Sequence, residues 1–128
     1  MEKESTILIA DRNRHVREFL RREMMAEGYR VRLAKTCQEV LKWVFNQEPL
    51  DLLILDPDLP DSSGLTILEK VEDRIPRLPV VVHTLLSEYA SHPAVSNIAA
   101  FVEKKGNSIE RLKEVVSEEL RKSNPQAF

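Results

Sequence analysis

Short apolar runs alternate along the chain with segments in which apolar residues recur three and four positions apart. The runs are typical of β-strands, and the wider spacing is typical of amphipathic helices. Strands are predicted over residues 6–10, 29–33, 52–55, 80–83 and 99–102. Each strand is followed by a predicted helix, so the elements alternate strictly from one end of the chain to the other.

The predicted helices begin and end at residues with known capping preferences. Gly28 is expected to end the first helix, and Thr36 with Glu39 is expected to form a capping box for the second. The fourth helix, over about 86–97, has the weakest pattern because Pro93 interrupts it. The other four helices carry the apolar stripe needed to pack on a sheet.

The third strand is apolar at every position, LLIL over 52–55, which is typical of a strand covered on both faces. Strict alternation of strands and helices favours an α/β fold, with an open parallel sheet and helices on both of its faces. The chain of 128 residues has the size of one domain. We therefore expect a single domain over 1–128, with an ordered core of about 5–122.

Polar residues stand where four of the predicted strands end, and they are Asp11, Asp56, Thr84 and Lys104. In open parallel sheets, ligands and catalytic groups gather beyond the carboxyl ends of the strands. We therefore expect these four side chains to meet in one site.

Composition narrows the class of protein further. Hydrophobic residues make up 42% and charged residues 31%, with a net charge of -2, as in an ordinary soluble globular protein. This charge provides no general attraction to nucleic acid or to an anionic membrane, and no apolar run approaches a membrane span. Cys37 is the only cysteine, which excludes an internal disulfide and suits the reducing cytoplasm. The basic run on the first helix is interleaved with Glu18 and Glu23, which indicates a solvated face.

Four motifs resemble those of the receiver domain of two-component response regulators, over essentially the whole chain. ILIAD at 7–11 is similar to the family's first strand and acidic turn, and LLILDPDLPDSSG at 52–64 to its phosphoacceptor strand and loop. PVVVHT at 79–84 resembles the strand that ends in the switch residue. AAFVEKK at 99–105 resembles the strand with an aromatic residue and a lysine. The resemblance implies a flavodoxin-like, doubly wound sheet of five parallel strands in the order 2-1-3-4-5.

The resemblance also implies a role for each strand-end residue. Asp56 would accept a phosphoryl group from a histidine kinase or a histidine phosphotransfer protein. Thr84 would be the switch hydroxyl, Lys104 the phosphate-binding cation and Phe101 the aromatic switch. The module would then switch a protein-interaction surface without enzymatic activity towards outside substrates.

The same resemblance implies a cofactor and partners. Mg²⁺ would be held by Asp11, Asp56 and the backbone carbonyl of Asp58, since Mg²⁺ prefers hard oxygen ligands. The signal would pass to a downstream protein, to an attached output domain or to a second copy in a homodimer. No direct binding of nucleic acid and no membrane contact is expected, and the location would be cytoplasmic.

The chain departs from the family pattern at several positions. Arg12 stands where a second metal-binding acid is usual, so Mg²⁺ binding should weaken unless the Asp58 side chain compensates. Alternatively, Arg12 itself neutralises the phosphate, in bidentate fashion and without metal, or it pairs with Asp56 and locks the pocket. Leu85 is bulky where a small residue is usual, and it should slow the loss of a phosphoryl group.

Three further positions carry expectations of their own. His83 replaces an apolar residue, and we expect a hydrogen-bonded histidine at a strand end. Lys105 replaces a proline, so the loop before the last helix can differ from the family's. Asp61 is expected to be a turn or helix-capping residue.

Two other functions compete with the phosphorylated switch. The first is a pseudo-receiver, in which Arg12 has disabled the metal site and the fold serves as a phosphorylation-independent interaction domain. The second is a phosphatase of the haloacid dehalogenase type, which the Asp-x-Asp pattern of Asp56 and Asp58 also fits. That class requires a downstream acidic pair at a strand end, and the pair Glu118–Glu119 falls in a predicted helix.

Overall fold

The computed structural model describes residues 4–46, 48–61, 64–85 and 100–123. Strands and helices alternate from the start of the described chain to the fourth strand, as the sequence predicts. The elements are β1 (Thr6–Ala10), α1 (Arg14–Ala26), β2 (Arg30–Ala34), α2 (Cys37–Phe45), β3 (Leu52–Leu55), α3 (Gly64–Val71), β4 (Val80–Thr84), β5 (Ala100–Glu103) and α4 (Ser108–Ser123). The helix predicted over 86–97 lies outside the described residues.

The five strands form one parallel sheet in the order β2-β1-β3-β4-β5. This confirms the α/β class and the strand order that the family resemblance implied. β1 and β3 have the predicted bounds, while β2 and β5 each start and end one residue later. β4 extends by one residue because Thr84 pairs with Glu103 on β5.

Two apolar cores lie on opposite faces of the sheet, because successive strand residues point to opposite sides. One core packs Val40 and Val44 of α2 and Ile67 of α3 against one face. The other packs Leu20 of α1 and Leu112 of α4 against the other face. The residues of β1 and β3 are buried throughout, which is the reason for their uninterrupted apolar sequence.

Local signals set the ends of the first two helices. The side chain of Asn13 accepts a hydrogen bond from the Val16 N–H at the start of α1. Gly28 has φ of 96°, a left-handed conformation that lets the chain leave α1 and enter β2. Thr36 accepts from the Glu39 N–H as predicted, but the Glu39 carboxylate accepts from Lys35 instead of closing the box on Thr36.

Among the described residues, no helix combines the length and the apolar character that a membrane crossing requires.

Candidate functional site

The site lies at the carboxyl edge of the sheet, where β1 and β3 run side by side. The Asp56 N–H donates to the carbonyl of Ala10 at 2.8 Å, so Asp11 and Asp56 leave neighbouring strands at the same level. Both side chains are buried. They line a cavity of about 190 Å³. The other lining residues are Arg12, Asn13, Val16, Asp58, Thr84, Leu85 and Lys104.

Lys104 joins the two buried carboxylates. Its Nζ donates to Asp11 Oδ2 at 2.6 Å and to Asp56 Oδ2 at 3.1 Å. The Lys104 N–H donates to the Thr84 carbonyl at 2.9 Å, which fixes the end of β5 against β4. The four strand-end residues singled out from the sequence therefore meet in one place, with a cation between two acids.

The second oxygen of each carboxylate accepts a backbone hydrogen bond from its own loop. Asp11 Oδ1 accepts from the Asn13 N–H at 2.8 Å, and Asp56 Oδ1 accepts from the Asp58 N–H at 2.9 Å. Burial raises the pKa of the Asp56 carboxyl, while the Asp58 N–H and the charge of Lys104 act in the opposite direction. Asp56 is thus a partly desolvated carboxylate held in a fixed orientation, which suits a nucleophile.

Arg12 lies at the mouth of the cavity and pairs with Asp58. Arg12 Nη2 is 3.2 Å from Asp58 Oδ2, with the two side chains 60% and 45% exposed. The proposed pairing of Arg12 with Asp56 is therefore wrong in this structure, because Lys104 already occupies the buried carboxylates. The Asp58 side chain binds the arginine through one oxygen and does not stand free as a replacement acid.

Arg17 is a residue at the site that the sequence analysis did not identify. Its Nη1 donates to the backbone carbonyls of Asp11 at 2.8 Å and of Arg12 at 3.1 Å. The basic run had indicated a solvated helix face. The sequence offered one signal that Arg17 lies near the site, because Arg17 is in the first turns of the helix that follows Asp11.

Thr84, Leu85 and Phe101 occupy different positions around the site. Thr84 is the buried last residue of β4 and lines the cavity with Leu85, whose side chain is 70% exposed. Phe101 lies on β5 and packs, partly buried, against the core between the sheet and helices α2 and α3. The structure thus brings Thr84 to the cavity that the carboxylates line, and Phe101 is not among the residues that line it.

His83 is a buried histidine without a hydrogen-bond partner in the described parts of the chain. Its side chain lies inside the fold, at 4% exposure, and neither Nδ1 nor Nε2 is paired there. The expectation of a hydrogen-bonded histidine is therefore wrong. Burial, and then the charge of Lys104, lower the pKa of His83 to about 4, against a smaller opposite effect of Asp11.

Asp61 was expected to be a turn residue or a helix-capping residue, and the structure confirms the second. The helix that it caps is α2, which precedes it in the chain. Its Oδ1 accepts from the Cys37 N–H at 2.7 Å and its Oδ2 from the Gln38 N–H at 3.0 Å. These hydrogen bonds lower the pKa of Asp61. The loop that follows Asp56 is therefore hydrogen-bonded to the first turn of α2.

The residues present would fit Mg²⁺ only as a sparse ligand set. Asp11 and Asp56 offer carboxylate oxygens, and the Asp58 carbonyl offers a third. Mg²⁺ is commonly bound through one or two carboxylates while it keeps several waters. Within the described ranges, no group of three His, Cys, Asp or Glu side chains is placed to hold a metal. The nearby guanidinium of Arg12 adds positive charge that opposes a cation.

Comparison with known proteins gives the class to which this fold and site belong. Residues 7–117 match the model of the response regulator receiver domain. The chain belongs to the receiver domain family of two-component response regulators, and this membership decides against the phosphatase alternative. Receiver domains are signalling modules.

Individual relatives agree with the family match. The chain is 33% identical over 94 residues to response regulator RR06 of Streptococcus pneumoniae, which covers 73% of this chain and 42% of that protein. It is 31% identical over 121 residues to the response regulator PilR of Pseudomonas aeruginosa, which covers 94% of this chain and 27% of that protein. The chain thus spans less than half the length of these two relatives.

Solved structures support the fold. The response regulator TrrA of Thermotoga maritima, determined in complex with Mg²⁺ and BeF, has a TM-score of 0.84 and 30% identity, covering 90% of this chain and 98% of that one. A second structure holds TrrA in complex with the histidine kinase ThkA, with a TM-score of 0.82 and 31% identity, covering 91% of this chain and 98% of that one.

Proposed function

We propose that this receiver domain is a phosphorylation-controlled switch and that Asp56 is its phosphoacceptor. The observation that carries the proposal is the contact of Lys104 with both Asp11 and Asp56 at the end of the parallel strands. A fixed cation there stabilises the negative charge that gathers as a phosphoryl group arrives. The raised pKa of Asp56 also favours nucleophilic attack, because a more basic carboxylate is a better nucleophile.

In the proposed reaction, one Asp56 oxygen attacks the phosphorus of a phosphohistidine. The P–N bond breaks, and the leaving imidazole keeps the electron pair and takes up a proton from water, which leaves an acyl phosphate on Asp56. The donor would be a histidine kinase or a histidine phosphotransfer protein, as supported by the complex of the related TrrA with a histidine kinase. Thr84 would donate its hydroxyl to a phosphoryl oxygen, and Phe101 would follow as the aromatic switch.

We propose that Asp11, Asp56 and the carbonyl of Asp58 hold Mg²⁺, which would supply positive charge to the phosphoryl oxygens. The related TrrA was determined with Mg²⁺ and BeF. Binding in this chain should be weak, since Arg12 replaces the usual second acid and pairs with Asp58. Lys104 already engages one oxygen of each buried carboxylate, which leaves few oxygens for a metal.

The output of the switch would be a protein-interaction surface. Its reader would be a downstream protein, an attached output domain or a second copy of the chain, and the domain itself would bind no nucleic acid. We propose a cytoplasmic location, because the reducing cytoplasm suits a chain whose single cysteine cannot form an internal disulfide. The domain would act on no outside substrate, and loss of its own phosphoryl group would be slow because of Leu85.

Acetyl phosphate labelling followed by intact mass and peptide mapping tests the proposal. Wild type should gain one phosphoryl group on Asp56, and Asp56→Asn should gain none. Asp73→Asn, an exposed aspartate just beyond α3, serves as the matched control and should label like wild type. A chain that accepts no phosphoryl group from acetyl phosphate or from a phosphorylated histidine kinase would instead be a pseudo-receiver, the alternative in which Arg12 has disabled the metal site.

A further inference from the structure

We infer that Arg12 binds the phosphoryl group on Asp56. Its guanidinium moves away from Asp58 and contacts the phosphoryl oxygens, so phosphorylation proceeds without a divalent cation as well as with weakly bound Mg²⁺. This inference rests on the proposed function of Asp56. In this chain, Arg12 would supply positive charge to the phosphoryl group from the position where a metal-binding acid is usual.

The position of Arg12 supports this role. Arg12 follows Asp11 directly, and its guanidinium lies 3.2 Å from Asp58 at the mouth of the cavity that both residues line with Asp56. A guanidinium presents its N–H groups in a planar fork that matches two oxygens of a phosphoryl group. The side chain is 60% exposed, so it can move without disturbing the apolar core.

The resting partner of Arg12 is weak enough to be exchanged. The pair with Asp58 is exposed on both sides, and such surface ion pairs contribute only about 0–1 kcal/mol. A phosphoryl group carries nearly two negative charges and three acceptor oxygens, so it competes well against one exposed carboxylate. Asp58 therefore serves as the resting position of the guanidinium, close to the site where it is used.

The charged side chains that line the cavity carry a net negative charge, so an incoming phosphoryl group needs a cation that can move towards it. Asp11, Asp56 and Asp58 provide three negative charges, and Arg12 and Lys104 provide two positive ones. Lys104 is already engaged by both buried carboxylates. Among the residues that line this cavity, Arg12 is thus the cation with an exposed guanidinium still able to reach an incoming anion.

The backbone that carries Arg12 is held in place. Arg17 Nη1 donates to the carbonyls of Asp11 and Arg12, and the Asn13 N–H donates to Asp11 Oδ1. The main chain on both sides of Arg12 is therefore fixed while its side chain remains exposed. This arrangement keeps the guanidinium at the cavity that Asp56 also lines and lowers the entropy that positioning it costs.

In the inferred exchange, Arg12 leaves Asp58 as the acyl phosphate forms and donates to two phosphoryl oxygens. Asp58 then loses its cation. Its loop continues to Asp61, which is attached to α2 through the N–H groups of Cys37 and Gln38. The exchange needs no reactant beyond the phosphodonor of the proposed reaction.

The test measures labelling of Asp56 by acetyl phosphate with Mg²⁺ and with EDTA. In this reaction the Asp56 oxygen attacks phosphorus, the P–O bond breaks and acetate leaves with the electron pair. Wild type should be labelled in both conditions, at rates within a few-fold of one another. Arg12→Gln should lose about tenfold or more of its rate in EDTA, as expected for a hydrogen bond to a charged group. Arg14→Gln, an exposed arginine two residues along the chain, should behave like wild type.

Two further variants and a spectroscopic signal sharpen the result. Asp58→Asn should label faster in EDTA because the guanidinium is no longer held, and Arg12→Lys should recover only part of the rate because ammonium lacks the fork. The Arg12 Nε–H signal in NMR should shift on phosphorylation, and the Arg14 signal should not. Circular dichroism of Arg12→Gln checks that its fold is intact.

The outcomes separate the inference from the proposed function. Labelling of wild type with Mg²⁺ but not with EDTA overturns the inference and leaves Asp56 as phosphoacceptor. Equal rates for wild type and Arg12→Gln in EDTA also overturn it. Absence of labelling on Asp56 in every condition, including with a phosphorylated histidine kinase, overturns both.

Discussion

The carboxylate of Asp61 accepts a hydrogen bond from the backbone N–H of Cys37 at 2.7 Å, across 24 positions of the chain. A second bond, from the Gln38 N–H at 3.0 Å, completes the cap. The first turn of a helix has backbone N–H groups without intrahelical partners, and a carboxylate also interacts favourably with the positive end of the helix. The loop after Asp56 and the start of α2 are therefore coupled.

Replacing Asp61 by Ala should destabilise the fold, because two N–H groups of α2 lose their acceptor. Urea unfolding should give a lower midpoint for Asp61→Ala than for wild type. Asp73→Ala, at an exposed aspartate beyond α3, is the control and should leave the midpoint unchanged. Equal midpoints for the two variants would mean that the cap contributes nothing measurable.

Replacing His83 by Leu should stabilise the fold by about 1–3 kcal/mol. Both ring nitrogens lack a partner in the described part of the molecule, and an unpaired buried polar group costs roughly this much. Leucine fills a similar volume without polar atoms. His15→Leu, at an exposed histidine, should change the free energy of unfolding by no more than about 0.5 kcal/mol. A loss of stability in His83→Leu would show that the imidazole is hydrogen-bonded.

The stability should fall as the pH decreases from about 6.5 towards about 4. The pKa of His83 is lowered from 6.5 to about 4, so in that window the unfolded chain binds a proton that the folded chain excludes. The loss should reach about 3 kcal/mol over the window. Lys104 and Asp11 act on the imidazole, and Asp56 also titrates at the site, so the measurement is the difference between wild type and His83→Leu. Parallel pH curves for the two proteins would contradict the assignment.

Replacing Leu85 by Ala should speed the loss of the phosphoryl group several-fold. Leu85 lines the cavity beside Thr84, and we expect its bulk to restrict the access of water to a phosphoryl group there. The measurement is the decay of the phosphorylated mass after the donor is removed. Ile75→Ala, at a residue that is 93% exposed and does not line this cavity, provides the control. An unchanged half-life in Leu85→Ala would mean that water reaches the phosphoryl group by another path.

The sequence predicted the sheet and the location of the site because both depend on local patterns. Uninterrupted apolar runs such as that of β3 predict buried strands, and strict alternation with helices predicts a parallel sheet. Parallel strands end at one edge, so Asp11, Asp56 and Lys104 had to come together there. The strand order itself came from the family resemblance, because local periodicity does not state which strands are neighbours.

The tertiary structure decided which side chains pair at that edge. Lys104 pairs with both buried carboxylates, whereas Arg12 pairs with Asp58. These choices depend on distances between groups that are far apart in the sequence or on the orientation of long side chains. Asp61 caps α2, and His83 has no hydrogen-bond partner in the described residues. Both outcomes also depend on groups that only the packed fold brings near these side chains. The sequence by itself thus determined which chemical groups reach the site, and only the packed fold determined how their charges are distributed among them.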